Sequence, residues 1–353
     1  MLRRCAVLID TKKIKKVKHP GYNYIFEKDS GFFARWGATL KDDPQLSPVG
    51  PEIADIEVST ICNGPFGKRC SMCYKNGTAH NENMNLETFK KVLDKLTETN
   101  NLTQVAFGIG DMDSNPDLIS MFRCCRENDI VPNLTVNGAR LDVQYENKTY
   151  AQHIADLCGA VAVSHYDDNL CFDAVKKFTD LGMTQVNIHK VLAEETIVDC
   201  FRLLKLKESE YRLAKLNAIV FLLYKPKSGN AMTPLKDMFK YQELIEYALN
   251  NNISIGFDSC GANKFIDVIS ENKDFAHLTA LAEPCESGLF SVYVNVHGDF
   301  YPCSFSEGVS NWTTGISVVE CDNFLEDVWF HPRTIKWRDG LLANNRSCPI
   351  YNI

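Results

Sequence analysis

Three cysteines crowd into one stretch, Cys62, Cys70 and Cys73 in C-N-G-P-F-G-K-R-C-S-M-C, with the spacing C-x7-C-x2-C. Thiolates this close are metal ligands, because one short loop can turn all three sulfurs onto one centre. The number matters. A structural zinc closes on four ligands, and the next His or Cys in the chain is His80. Three thiolates suit a 4Fe–4S cluster whose remaining iron stays open to an outside ligand. A zinc knuckle completed by His80 or a distant residue is the competing chemistry. Gly64, Pro65 and Gly67 supply the bends such a loop needs.

A second cysteine province lies near the C-terminus. Cys285 and Cys303 are spaced C-x12-G-x4-C, and Val292, Val294 and Val296 alternate between them as a strand. His297-Gly298-Asp299 then turns and Phe300–Tyr301 returns, so a hairpin brings the two cysteines together. Iron–sulfur and zinc sites both accept such thiolates. Cys5, Cys124, Cys125, Cys158, Cys171 and Cys200 sit in apolar settings and read as core.

The elements around the loop must position it. Ile53–Ser59 is strand-like before it, and Leu86, Phe89, Leu93 and Leu96 follow at helical spacing behind a cap at Asn85. Short apolar strands are expected at Ile56–Ser59, Gln104–Gly108, Val131–Val136, Gly159–Ser164, Thr184–Val191, Ala218–Leu223 and Ser254–Phe257. Helices are expected between them, starting near Leu86, Pro116, Gln152, Leu170, Ile197 and Leu235. This alternation predicts an α/β fold built on a parallel sheet. In such arrays the chemistry lies at the C-terminal ends of the strands. Ahead of it, residues 23–36 read as a hairpin turning at Asp29-Ser30-Gly31, Leu46 to Pro51 as a connector, and the lysine run at 12–18 as a solvated face.

Composition bounds the function. The chain has 353 residues, 45% of them hydrophobic, and a net charge of −7, which argues against a general nucleic-acid binder. No apolar run approaches a membrane span, and the start is too short in its apolar part for a secretion signal, so fourteen cysteines are expected reduced in the cytoplasm.

The order strand, three-cysteine loop, helix resembles the radical S-adenosylmethionine (radical SAM) superfamily. The chain departs from that family's commonest spacing, C-x3-C-x2-C, and Met72 stands where an aromatic is usual before the third cysteine. Later strand ends add to the likeness. Gly108-Ile109-Gly110-Asp111 resembles the Gly-Gly-Glu motif that receives the amino group of S-adenosylmethionine, and Thr135-Val136-Asn137-Gly138 resembles a T-x-N-G strand end. Taken alone, each also reads as an ordinary glycine or Asn-Gly turn. Ser164 stands where the family often carries a serine that meets the cofactor. Asn187 and His189 share one face of their strand.

The resemblance implies a partial (β/α)6 barrel at residues 51–258, an N-terminal extension at 1–50, and a C-terminal SPASM or twitch-like auxiliary-cluster domain at 259–353. It implies two 4Fe–4S clusters, one on Cys62, Cys70 and Cys73, the other on Cys260, Cys285, Cys303 and Cys348, with Cys321 competing for the last place. A single zinc on the auxiliary thiolates is the alternative. S-adenosylmethionine would meet Met72, Gly108, Gly110, Asp111, Asn137, Ser164 and Asn187. Reductive cleavage would give a 5′-deoxyadenosyl radical that takes hydrogen from an unactivated C–H bond, with the electron from a donor such as flavodoxin or ferredoxin. His165, Tyr166, His189 and Lys225 are the substrate or catalytic candidates, although His189 also reads as a core histidine and Lys225 as a solvated one. A peptide or protein substrate is the leading expectation, a small metabolite or sugar the second. A zinc-stabilised, non-enzymatic binding module is the reading from another class. No membrane or nucleic-acid partner is expected.

Overall fold

The computed structural model describes residues 7–10, 13–75, 81–227 and 231–351. Cys5 and His80 lie outside the described residues.

The chain opens on a four-stranded antiparallel sheet in the order β1 (Val7–Asp10), β2 (Ile14–His19), β3 (Tyr22–Glu27) and β4 (Phe33–Trp36). The expected hairpin is β3–β4, with Gly31 at a positive φ of 75° in its turn, and two further strands precede it. The lysine run is not a uniformly solvated face. Strand alternation turns Lys15 and Val17 inward together. Lys15 is 1% exposed, and its Nζ donates to Leu102 O at 2.8 Å and Asn100 Oδ1 at 3.1 Å.

A ten-stranded sheet forms the body. Its parallel part comprises β5 (Ile53–Glu57), β6 (Gln104–Gly108), β7 (Val131–Val136), β10 (Ala160–Ser164), β11 (Val186–Leu192), β12 (Ala218–Leu223) and β13 (Ile255–Phe257) in spatial sequence. The small ribbon β8 (Gln144–Tyr145) and β9 (Lys148–Thr149) interrupts only the connection after β7. Crossovers are filled by α1 (Leu86–Thr97), α2 (Leu118–Glu127), α3 (Tyr150–Leu157), α4 (Asp168–Asp180), α5 (Ile197–Ser209) and α6 (Met238–Asn250), and α7 (Ala262–Ser270) follows β13. At the other edge β14 (Ser291–Val294) pairs parallel to β5, and β15 (Asp299–Tyr301) and β16 (Ile316–Ser317) continue antiparallel. A π-helical turn at Leu325–Trp329 and α8 (Pro332–Ala343) close the chain. The C-terminal hairpin is thus laid onto the same sheet as the βα array, with Gly298 in its turn at φ 85°.

The two faces of this sheet differ. Ala54, Ile56, Val105, Phe107, Leu134, Val136, Val161, Val163, Val186 and Ile188 are buried against the helices. Helix α1 shows how: Asn85 caps it by accepting from Thr88 N, and Phe89, Val92, Leu93 and Leu96 point into the core. Each such side chain contributes roughly 1.5–3 kcal/mol by leaving water. The alternate positions, Asp55, Ala106, Asn133, Thr135, Asn187, His189 and Val220, retain exposure on the helix-free face. The N-terminal sheet docks where the strands begin: Tyr24 Oη donates to Asn101 O at 2.7 Å and Tyr22 Oη to Glu52 Oε1 at 2.7 Å. The opposite end, where the strands finish, is left to the cysteine loop. Among the described residues, no helix is long and apolar enough to cross a membrane.

Candidate active site

The loop leaves β5 and folds back on itself. Gly64 sits at a positive φ of 77°, where a Cβ would stand 1.9 Å from Lys68 O, so only glycine closes this turn. Gly67 N donates to Gly64 O at 3.2 Å and Cys73 N to Cys70 O at 3.1 Å. The thiols of Cys62, Cys70 and Cys73 are half-buried, free and within electrostatic reach of one another. Burial pushes the Cys62 thiol above its ordinary value, and nearby Asp111, Cys73 and Cys70 add to the shift.

The next strand end grips the loop. A Cβ on Gly110 would lie 2.3 Å from Cys62 Cβ and 2.5 Å from Ile61 O, so the glycine permits the close approach. Asp111 is 2% exposed, and its Oδ2 accepts from Asn63 N at 2.7 Å and Asn63 Nδ2 at 2.9 Å. Gly108 O accepts from Val58 N at 2.8 Å. Gly108, Gly110 and Asp111 therefore hold the leading arm of the loop. Arg69 Nε ties the trailing side by donating to Cys62 O at 2.9 Å.

The other candidates divide. Tyr166 reaches the loop: its phenol lies near the Cys70 thiol and Ser164, and burial raises its pKa well above the ordinary value. Asn137 stands beside Gly110, with its Oδ1 accepting from Ala139 N at 2.9 Å, and Met72 is half-buried in the loop itself. His189 lies on the helix-free face with Nδ1 3.5 Å from Thr135 Oγ1, and burial lowers its pKa to about 4. It is neutral at pH 7.

Asn187 does not join them. It occupies the start of β11, and its Oδ1 accepts from Asn217 Nδ2 at 2.9 Å, at the far end of the sheet from the loop. It shares His189's face, but the strand carries it away in height. His165 points through the sheet's other face, as alternation after Ser164 requires. It is 8% exposed, with Nε2 2.9 Å from Asp168 Oδ1 and Nδ1 3.0 Å from Lys190 Nζ. Arg202 forks onto Asp168 at 2.6 and 2.8 Å, so His165 belongs to an ion network beneath α4 and α5. Burial, helped by the Lys190 ammonium, holds its pKa below the ordinary value. Lys225 is buried too, donating to Asp258 Oδ2 at 2.5 Å and Leu223 O at 3.0 Å.

The C-terminal cysteines also gather. Cys260 feels Cys285 and Cys303, and Cys303 feels Cys285 and Cys348. Burial pushes the Cys303 thiol up to about 12, with the neighbouring thiols adding to it. Arg346 locks this group by donating from Nε to Cys285 O at 2.9 Å. Cys321 stands elsewhere, beside Lys95, Glu98 and Asp327, with its thiol 3.1 Å from Val318 O. Cys124, Cys125, Cys158, Cys171 and Cys200 are buried in the helix-side core. Among the described residues, no three His, Cys, Asp or Glu side chains converge closely enough to hold one metal ion.

A bridge between the two cysteine groups was not visible in the sequence. Tyr74, next to Cys73, stacks on Phe305 at 4.5 Å, and Phe305 meets Tyr351 edge-on at 6.2 Å. Lys75 Nζ lies 2.7 Å from Tyr293 Oη and 3.1 Å from Glu57 Oε1, and also pairs with Glu307. The only signal available beforehand was parity: Asp55 and Glu57 alternate with Ala54, Ile56 and Val58, which places two carboxylates on the face away from the helices.

No protein-family model matches the chain, and no curated protein matches it by sequence. Solved structures do share its fold. SuiB from Streptococcus suis bound to precursor peptide SuiA is 14% identical, with 94% of this chain and 90% of that chain covered and a TM-score of 0.67. SuiB bound to S-adenosylmethionine is 16% identical, with 83% and 68% covered and a TM-score of 0.61. A looser match at TM-score 0.36 and 15% identity, covering 58% of this chain and 54% of that chain, is coproporphyrinogen III oxidase (HemN) from Escherichia coli, described as a radical SAM enzyme; it is too distant to carry an argument.

Proposed function

We propose that this chain is a radical SAM enzyme that modifies a peptide or protein side chain. One observation carries the reading: three free thiols share one loop at the C-terminal end of a parallel strand, above a helix-free face that helices do not fill. The donor set fits a 4Fe–4S cluster, since three soft ligands leave one iron for S-adenosylmethionine. The chemistry supplied there is reductive cleavage of S-adenosylmethionine, which yields a carbon radical able to abstract hydrogen from the substrate.

The chain's own residues do the rest. Gly110, Asp111 and Arg69 fix the loop. Tyr166 and Ser164 stand beside Cys70, where the cofactor would lie. Asn137 supplies polar groups at the neighbouring strand end. Cys260, Cys285, Cys303 and Cys348 would hold the auxiliary 4Fe–4S cluster of a twitch-like domain attached to a partial barrel. The peptide substrate is favoured by the shared fold with SuiB, which has been crystallised with a precursor peptide. The electron would come from a flavodoxin- or ferredoxin-type donor.

The test is direct. Anaerobically reconstituted protein with dithionite and S-adenosylmethionine should release 5′-deoxyadenosine, and Cys70→Ala should release none. Undiminished release by the variant would overturn the assignment.

A further inference from the structure

Strand β4 is the last strand of the N-terminal sheet, and one of its side chains reaches across to the C-terminal cysteines. The Arg35 side chain is only 6% exposed. Its Nη1 lies 2.8 Å from Glu52 Oε2 and 3.4 Å from Glu286 Oε1, and its Nη2 lies 2.9 Å from Glu283 Oε2. The guanidinium lies over the Phe290 ring, 3.4 Å from its centroid. Its buried Nε has no hydrogen-bond partner among the described residues. The side chain thus forgoes one bond to bring its two terminal nitrogens onto three carboxylates. A planar fork permits that geometry and a single ammonium does not.

Two of these carboxylates flank Cys285. Glu283 also pairs with Arg346, whose Nε donates to Cys285 O at 2.9 Å and whose Nη2 donates to Pro284 O at 2.6 Å. The segment after β4 holds the residues that follow: Ser47 N donates to Leu289 O at 2.9 Å and Glu52 N to Phe290 O at 2.7 Å. Cys285 itself is 6% exposed. It shares an apolar cluster with Tyr22, Tyr24 and Phe26 of β3 and with Leu289 and Phe290. Arg35 and Glu286 are 251 positions apart, so no local turn sets this geometry. Without Arg35, Glu52 would stand beside Glu286 with no guanidinium between them, a larger disturbance than losing an exposed ion pair.

We propose that the N-terminal sheet is a working part of the C-terminal cysteine site, and that Arg35 is the positioning residue that holds segment 283–286 and so fixes where Cys285 stands among the other C-terminal thiols. The three-cysteine loop has no such long-range tie to this sheet: its base is the neighbouring strand end at Gly110 and Asp111. The placement of Cys285 is a property of the metal-free chain, whereas its use as a cluster ligand rests on the auxiliary-cluster reading.

The experiment alkylates the metal-free full chain with iodoacetamide under native conditions and follows each cysteine by peptide mass spectrometry. Cys285 in Arg35→Gln should react at least about tenfold faster than in the unaltered chain, because a broken buried pair opens its surroundings locally. Cys125 and Cys200, fully buried in the helix-side core, should keep their slow rates. An unchanged Cys285 rate would overturn the proposal. If Arg35→Gln instead exposes all the buried cysteines together, Glu286→Gln decides, since it leaves Arg35 paired with Glu52 and Glu283. Selective gain at Cys285 in that variant supports the positioning role, and no gain overturns it. A second readout separates this role from the cluster: in iron-reconstituted Arg35→Gln the auxiliary EPR signal should change. Faster Cys285 alkylation with unaltered iron content and EPR signal would keep the positioning role and sink the auxiliary cluster. A changed signal with unchanged alkylation would do the reverse.

Discussion

The two cysteine groups are built in opposite ways. The loop draws Cys62, Cys70 and Cys73 from twelve consecutive residues and leaves their thiols half-buried. The C-terminal group draws Cys260, Cys285, Cys303 and Cys348 from four separate segments, and burial, with the neighbouring thiols adding to it, pushes Cys303 up to about 12. A local site needs only turns and a firm base. A dispersed one needs the fold first, and a metal bound there would staple segments the chain otherwise holds loosely. The first arrangement suits a centre that must meet ligands from outside; the second suits a centre whose ligand shell is closed.

The sharpest way to break this contrast is to empty each group separately. With Cys285→Ala and Cys303→Ala combined, iron content should fall by about half, as expected for two clusters on separate cysteine sets. Thermal stability should fall as well, while some S-adenosylmethionine cleavage survives. In Cys70→Ala, cleavage is lost and the circular dichroism spectrum is retained. If the C-terminal variant kept its full iron, the dispersed group would hold no cluster.

A smaller effect separates Cys348 from Cys321. Cys348→Ser should alter the auxiliary EPR signal, and Cys321→Ser should leave it intact, because Cys321 stands beside Lys95 and Glu98, away from the other thiols. The opposite result would move the fourth ligand.

The loop's dependence on its base can be probed at Gly110. Gly110→Ala puts a methyl 2.3 Å from Cys62 Cβ. Denaturant unfolding should show a loss of about 1–3 kcal/mol, the usual cost of overpacking, with weaker loop iron loading. Unchanged stability would mean that the loop shifts freely, and the claim that β6 grips it would fail.

The smallest effect lies on the helix-free face of the sheet, at His189. Its folded pKa is lowered to about 4 by burial, with Asp258 opposing slightly. The unfolded histidine takes up a proton near its ordinary value of 6.5. The unfolded state therefore binds more protons between those values, so this contribution to stability is present above about pH 6.5 and is lost as pH falls toward 4. Urea unfolding of the metal-free protein should be easier at pH 5 than at pH 7.5 for this reason, and His189→Gln should flatten that part of the slope.

The sequence by itself determined the elements. β6, β7 and β12 fall where alternation and apolar runs place them, and α1 and α5 begin at the expected Leu86 and Ile197. Those signals are local, carried by period and capping within a few residues. The three-cysteine loop was legible for the same reason. The N-terminal extension was only half legible: its hairpin has a turn signal at Asp29-Ser30-Gly31, but β1 and β2 do not announce themselves in a lysine-rich run.

What the tertiary structure alone decided are the questions of face and height. Asn187 and His189 share a strand face, yet Asn187 sits one layer lower and spends its side chain on Asn217. His165 and Tyr166 are neighbours in sequence, yet the pleat sends one into an ion network under the helices and the other to Cys70. Cys348 joins the C-terminal thiols and Cys321 does not, although the sequence offered both. Lys75 meeting Tyr293 and Glu307 and Tyr74 stacking on Phe305 depend on β14 settling beside β5. Such pairings join residues more than 200 positions apart, and no local pattern encodes them, because their geometry exists only once the sheet has formed.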